Sequence, residues 1–174
     1  MPVTRLVSTG DARQFARLVI QNRDYLAPWS PVQAAAYFTE NGQHEVLRRD
    51  LVAYERGATL PLAILDAAGA ACGRLNLNNI VRGAFQSASV GYWVSESAAG
   101  RGLASAAVAD AIKIGFGDLG LHRLEAGTLL HNTPSQRVLT RNGFRPFAVA
   151  EAYLSIAGRW QDHILFQLLN PNMP

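Results

Sequence analysis

Apolar and polar positions recur along this chain with two periods, and the switches between them lay out its elements. Residues 59–65 are a nearly continuous apolar run. Residues 70–80 alternate, with Cys72, Arg74, Asn76 and Asn78 on one face and Gly73, Leu75, Leu77 and Asn79 on the other. A third apolar run ends in Ala88-Ser89-Val90-Gly91-Tyr92-Trp93-Val94. Turn residues at Asp66–Gly69 and Arg82–Ala84 join the three, which predicts an antiparallel meander. Ahead of it, residues 3–8 predict a first strand. Asp11 reads as the N-cap of a helix to about Arg23, with Phe15, Leu18, Val19 and Asn22 at helical spacing. Two prolines and two aromatics in Tyr25–Pro31 predict a stiff loop. A second helical region covers about 34–56, with Leu47, Leu51 and Tyr54 on one side; Gly42 divides it and Gly57 closes it.

Downstream, residues 103–116 have a helical pattern, Gly117–Gly120 break it, and 121–130 form a strand. Strand, helix and strand predict a parallel crossover. Pro134 opens a short helix capped by Thr133 or Asn132 and closed at Asn142-Gly143. Residues 144–155 and 159–169 make a last strand pair around Ala157-Gly158. The sum is an α/β (α+β) chain, and 174 residues suit a single domain, 1–174.

Between the third strand of the meander and the helix at 103 lies Ala99-Gly100-Arg101-Gly102-Leu103-Ala104-Ser105. A strand, a tight glycine turn and a helix start suit pyrophosphate. The first helical turn presents backbone N–H groups without intrahelical partners, at the positive end of the macrodipole. Glycine removes the Cβ atoms that would block close approach. A turn followed by an ordinary helix start is the plainer reading of the same residues. The stretch lacks the three glycines of a dinucleotide fingerprint and the Gly-Lys-Ser/Thr of a P-loop.

Apolar residues make up 49% of the chain and charged residues 17%, which predicts a globular protein. A formal charge of +3 helps an anionic ligand but is too weak to argue for nucleic acid. One cysteine, Cys72, excludes an internal disulfide, fits a reducing compartment and reads as a small buried residue. The absence of a leader pattern or an 18-residue apolar run predicts a soluble, cytoplasmic protein without membrane attachment. His122 and His131 form no metal spacing with a Cys or carboxylate pair, so no metal is expected. The lone His163 in the last strand reads as structural.

This element order, with these residues, resembles the GNAT superfamily of N-acetyltransferases over nearly the whole chain. The superfamily's acetyl-CoA signature is Gln/Arg-x-x-Gly-x-Gly/Ala. Residues 99–104 match it with Gly102 and Ala104 and depart from it at Ala99. Asn132 and Ser135 match an Asn-x-x-Ser, and Asn142-Gly143-Phe144 matches a Gly-Phe after the short helix. Within the superfamily the chain is similar to the RimJ/RimL group, the ribosomal-protein-alanine N-acetyltransferases. The likeness rests on Asn22-Arg23-Asp24-Tyr25-Leu26-Ala27-Pro28-Trp29, on Gly91-Tyr92-Trp93-Val94, and on the hairpin from Tyr153 through Gly158 and Trp160 to Asp162-His163.

The resemblance implies a mostly antiparallel central sheet flanked by helices. It also implies direct transfer of acetyl from acetyl-CoA to a primary amine, without metal or acyl-enzyme. Acetyl-CoA falls to Val94, Ala99, Gly100, Arg101, Gly102, Leu103, Ala104, Ser105, Asn132 and Ser135. Backbone N–H groups in the Tyr92–Val94 region, Trp93 included, fall to the oxyanion, and Ser135 to the sulfur. Tyr25, Trp29 and Tyr153 line the acceptor groove. The glutamate that assists as base in relatives aligns with Phe147 here, leaving Glu151, further along the strand, as the nearby carboxylate. A weak base suits an α-amine, because at pH 7 roughly a tenth of an α-amine is neutral against under about a thousandth of a lysine amine. The expected acceptor is therefore a protein N-terminus, with a small amine (amino acid, polyamine or antibiotic) or acyl-CoA binding without turnover as alternatives. The group's habit leaves monomer and homodimer both open.

Overall fold

A computed structural model describes residues 2–173. Its frame is one sheet of seven strands: β1 (Thr4–Leu6), β2 (Leu60–Leu65), β3 (Ala71–Val81), β4 (Ser87–Val94), β5 (Arg123–Leu129), β6 (Arg145–Ile156) and β7 (Arg159–Leu169). They lie in the order β1-β2-β3-β4-β5-β7-β6. Every pairing is antiparallel except that of β4 with β5. The helices are α1 (Ala12–Gln21), the single turn α2 (Arg23–Leu26), α3 (Glu40–Glu55), α4 (Leu103–Lys113) and α5 (Thr133–Arg141).

Strand alternation decides which helix covers which face. Leu62, Ile64, Leu75 and Leu77 share a core with Ala107 and Val108 of α4 and Leu139 of α5. Ala63 points the other way and packs with Phe15 of α1 and Leu47 of α3. Alanines on α4 let that helix lie close to the sheet. Phe15 and Leu47 are fully buried, each contributing about 2 kcal/mol of transfer energy.

The meander, the crossover and the terminal hairpin form as the pattern predicts, and the differences are local. The first strand keeps only Thr4–Leu6 of the expected 3–8. Asp11 stands at the N-cap position of α1, but its side chain makes no capping bond to that helix. It ends a 3-10 turn, where its carboxylate accepts from the Ser8 backbone N–H and from Arg5 at 2.8 Å. The first helix ends at Gln21, short of the expected Arg23, and the expected loop opens in helical turns, since Tyr25 and Leu26 belong to α2 and Ala27–Trp29 are a 3-10 turn. Gly42 does not divide the second helical region. Thr39 does, by capping α3 from its side-chain oxygen. Gly42 serves another need: a Cβ there would lie 1.8 Å from the Ala36 carbonyl oxygen. The helix predicted over 103–116 is α-helical only to Lys113 and continues as a π turn over Ile114–Asp118.

One pairing shapes the site. β4 and β5 are parallel partners only from Ser87–Ser89 against Arg123–Glu125. Beyond Ser89 they part, so the rest of β4 has a strand neighbour on the β3 side alone.

Candidate active site

The opening between β4 and β5 leaves backbone groups of β4 unpaired along one edge. In an antiparallel ladder, successive residues turn their N–H and C=O groups to alternate sides. The Ser95 N–H donates to Cys72 O at 2.8 Å, and Val94 stands opposite Gly73. Ser95, Trp93 and Gly91 therefore bond toward β3. The N–H groups of Val94 and Tyr92, beyond the last pair with β5, face the opening. Of the three residues expected to supply oxyanion donors, Tyr92 and Val94 do face it. The Trp93 N–H is used in the β3 ladder, and its ring packs against the core under α1 and α3.

At the C-terminal end of β4 the chain makes a 3-10 turn at Glu96–Ala98 and then the glycine stretch. Gly100 (φ 72°) and Gly102 (φ 78°) both take left-handed backbone, and Gly102 is the N-cap of α4. A Cβ built on either glycine meets nothing within 4 Å. The space in front of the helix start is open, and only glycine leaves both that space and that backbone unstrained. This is a cradle that fits a pyrophosphate. Ala99, Gly100 and Ala104 line the adjoining cavity; Arg101 is exposed beside it. The Ser105 hydroxyl is engaged elsewhere: Asn142 Nδ2 donates to it at 3.0 Å, tying the start of α4 to the end of α5.

Across the opening, Asn132 resolves the choice of cap for α5. Its Oδ1 accepts from the Ser135 backbone N–H at 3.2 Å. That bond orients the first turn so that Ser135 faces Tyr92. The Tyr92 hydroxyl lies 2.8 Å from Ser135 Oγ and donates to Ser135 O at 3.2 Å. Burial pushes the Tyr92 hydroxyl up to about 12, and the Ser135 hydrogen bond offsets this only in part. Tyr92 is therefore a neutral phenol at physiological pH. The Cys72 thiol is likewise pushed up, by burial first, and lies outside the cavities described next.

Two cavities meet at this pair. One, of about 310 Å³, runs from the glycine cradle past Val94 to Ser135, with Tyr25 and Trp29 on its wall. The other, of about 190 Å³, lies deeper in the opening, floored by Ala126–Leu129 of β5. Trp29, Tyr92, Asn132 and Ser135 are walls of both. Trp29 is held by the His131 ring, 5.5 Å away between centroids. A third cavity, of about 520 Å³ and lined by Arg23, Leu26, Pro31, Phe38, Trp93 and Ala157 among others, lies on the α1 side of Trp93.

The remaining sequence candidates stand apart. Tyr153 lines none of these cavities; it is 46% exposed and packs on the His163 ring at 5.5 Å. Glu151 is exposed on β6, away from the cavity walls. Phe147 is exposed with the Arg123 guanidinium over its ring. His163, read from the sequence as structural, is buried and a wall of the deeper cavity. Its place in the Tyr153-to-His163 hairpin was the available signal. Among the described residues no group of three or more His, Cys, Asp or Glu is placed to hold a metal, and no helix is long and apolar enough to cross a membrane.

Residues 3–145 match the family described as "Acetyltransferase (GNAT) domain". The [Ribosomal protein uS5]-alanine N-acetyltransferase of Escherichia coli is 32% identical over 171 residues, 98% of this chain and 88% of that protein. The ribosomal-protein-S5-alanine acetyltransferase of Vibrio fischeri superposes with a TM-score of 0.92 at 31% identity, over 98% of this chain and 94% of that one. RimJ of Mycobacterium smegmatis, solved in complex with CoA-disulfide, gives a TM-score of 0.93 at 32% identity, over 98% and 83%. With the glycine cradle, the parted β4 and β5 and the Ser135–Tyr92 pair in the same frame, the chain belongs to the GNAT acetyltransferase family and is an N-acetyltransferase.

Proposed function

We propose that the whole chain is one catalytic domain that moves acetyl from acetyl-CoA to the N-terminal α-amine of a protein, in the cytoplasm. The observation that carries the acceptor is the roomy third cavity beside Trp93, about 520 Å³ against about 190 Å³ for the deeper cavity. A small amine needs the lesser volume alone, whereas a peptide needs a place for the residues behind its amine. The 32% identity to a ribosomal-protein-alanine N-acetyltransferase supports the same acceptor class.

Acetyl-CoA supplies an activated thioester carbonyl. The N–H groups at the start of α4, with Gly100 and Gly102, hold its pyrophosphate, and Arg101 beside them adds charge. The arm follows the unpaired edge of β4 past Val94 and Asn132. The Val94 or Tyr92 N–H then donates to the carbonyl oxygen as negative charge develops there. A donor of this kind is worth about 3 kcal/mol in acyl transfer. The acceptor nitrogen attacks the carbonyl carbon, the C–N bond forms and the C–S bond breaks with its electrons on sulfur. The one Tyr92 proton can turn from Ser135 O to Ser135 Oγ, and with it there the serine proton is free for a hydrogen bond to the departing sulfur. Tyr25 and Trp29 close the cavity from water.

CoA thiol release tests this reading on three acceptor sets: peptides with free α-amines, the same peptides N-blocked but carrying lysine, and small amines. Release with free α-amines alone is the expected result. Release with small amines alone would move the assignment to a metabolite acetyltransferase. Acetyl-CoA binding without any release would make the protein a binding module.

A further inference from the structure

We infer that His163 is the general base, its Nε2 taking the proton from the acceptor ammonium. The inference rests on the α-amine reading above and names the group that reading lacks. Among the described residues no Asp or Glu lines either cavity beside Ser135. His163 is, among the described residues, the one imidazole in those walls, and imidazole is the side chain most often used as a general base.

Its geometry is that of a held base. His163 is 3% exposed, and β7 places it opposite Leu129 of β5. It lies on the same side of the sheet as Gly127, where a Cβ would come within 3.7 Å of its Cδ2 and within 3.6 Å of the Tyr153 ring. The imidazole is thus wedged between a residue without a side chain and an aromatic ring. Next along β7, Ile164 and Phe166 belong instead to the core under α4. His163 therefore faces the other side, the side of the third cavity, while Ser135 and the cofactor cradle lie on the α4 side. The base and the sulfur are reached from opposite faces, as an attack through the opening requires.

The tautomer follows from one contact. His163 Nδ1 lies 2.9 Å from the Gln161 carbonyl oxygen, which only accepts. Nδ1 therefore carries the proton and Nε2 keeps its lone pair. In the reaction Nε2 takes one proton from R–NH3+, and the freed lone pair attacks the thioester. The second proton lost by nitrogen goes to the thiolate, giving amide and CoA thiol. The imidazolium returns its proton to water, so one proton is released per turnover and the charges balance.

The test pairs two variants, His163→Asn and His163→Gln, with two forms of one peptide. One form has an ordinary α-amine. The other has an aminooxy group in its place, which is already neutral at pH 7 and needs no base. General-base catalysis contributes about 10²-fold or more. The expected result is a kcat/KM loss of roughly that size on the α-amine peptide, and a loss at least roughly tenfold smaller on the aminooxy peptide. An equal loss on both, or no loss on either, overturns the role. The wild type gives an independent readout: imidazole 15N spectra must show His163 protonated at Nδ1, and an Nε2–H tautomer overturns the proposal without any variant. The acceptor reading fails separately, if the wild type itself releases no thiol with α-amines; the variant series then uses the amine class it does accept.

Discussion

The Tyr92 hydroxyl on β4 stands 2.8 Å from Ser135 Oγ on α5, joining residues 43 apart in sequence across the opening between β4 and β5. The bond ties β4 to α5 beside the place where the sheet comes apart, and it sets the aim of Ser135. Tyr92 could not serve as the acid that protonates the thiolate. A phenol at about 12 is a far weaker acid than a thiol, so its part is to orient the serine.

Ser135→Ala should lower kcat by roughly 10- to 100-fold, the worth of a hydrogen bond to a charged sulfur, with little change in acetyl-CoA affinity. Tyr92→Phe removes only the orienting bond and should cost roughly fivefold. Steady-state kinetics on both variants checks the order. Equal effects, or a Ser135→Ala enzyme with full kcat, would remove Ser135 from the chemistry.

Gly102→Ala should act on the cofactor instead. An alanine at φ 78° is strained by about 1 kcal/mol, and its methyl group enters the open space in front of α4. The KM for acetyl-CoA should rise roughly tenfold, the cost of one lost contact to an anion, with kcat nearly kept. A fall in kcat at unchanged KM would place the pyrophosphate elsewhere.

Gly73→Ala should damage the site from behind. Gly73 lies opposite Val94, and a Cβ there would meet Trp93 O at 2.3 Å and Val94 Cα at 2.9 Å. Both contacts are backbone, so β4 must shift. Overpacking of this kind costs about 1–3 kcal/mol. The melting temperature should fall and, in the folded fraction, so should kcat, because the Val94 N–H moves with the strand.

Alkaline pH should reveal the burial of Tyr92. Its folded-state value is raised to about 12 from an ordinary 10.0, so the folded protein holds the neutral phenol while the unfolded chain ionises. The stability this contributes is intact below about 10 and is lost as pH rises from there toward 12. Denaturant midpoints at pH 9, 10 and 11 should fall more steeply in the wild type than in Tyr92→Phe.

Much of this architecture was legible from local pattern. The alternation over 70–80, the turns at 66–69 and 82–84, and Gly100 and Gly102 before a helical run carry β3, β4 and the cradle in their own residues. Less legible was whatever depends on how far two strands stay paired. The opening exists because β4 and β5 share only three register pairs, and nothing in either segment announces where pairing stops. Side chains with two uses were also ambiguous. Asn132 spends its oxygen on the α5 cap, and Ser105 spends its hydroxyl on Asn142. His163 carries no spacing signal of its own; only the register of β7 on β5 brings it to the cavity.

The most direct measurement uses one peptide that carries both a free N-terminal alanine and an internal lysine. It is incubated with the enzyme and acetyl-CoA at pH 7 and mapped by fragment mass spectrometry. The account predicts a single acetyl group, on the α-nitrogen. Acetyl on the lysine Nε, or none while a small amine is consumed, would contradict it.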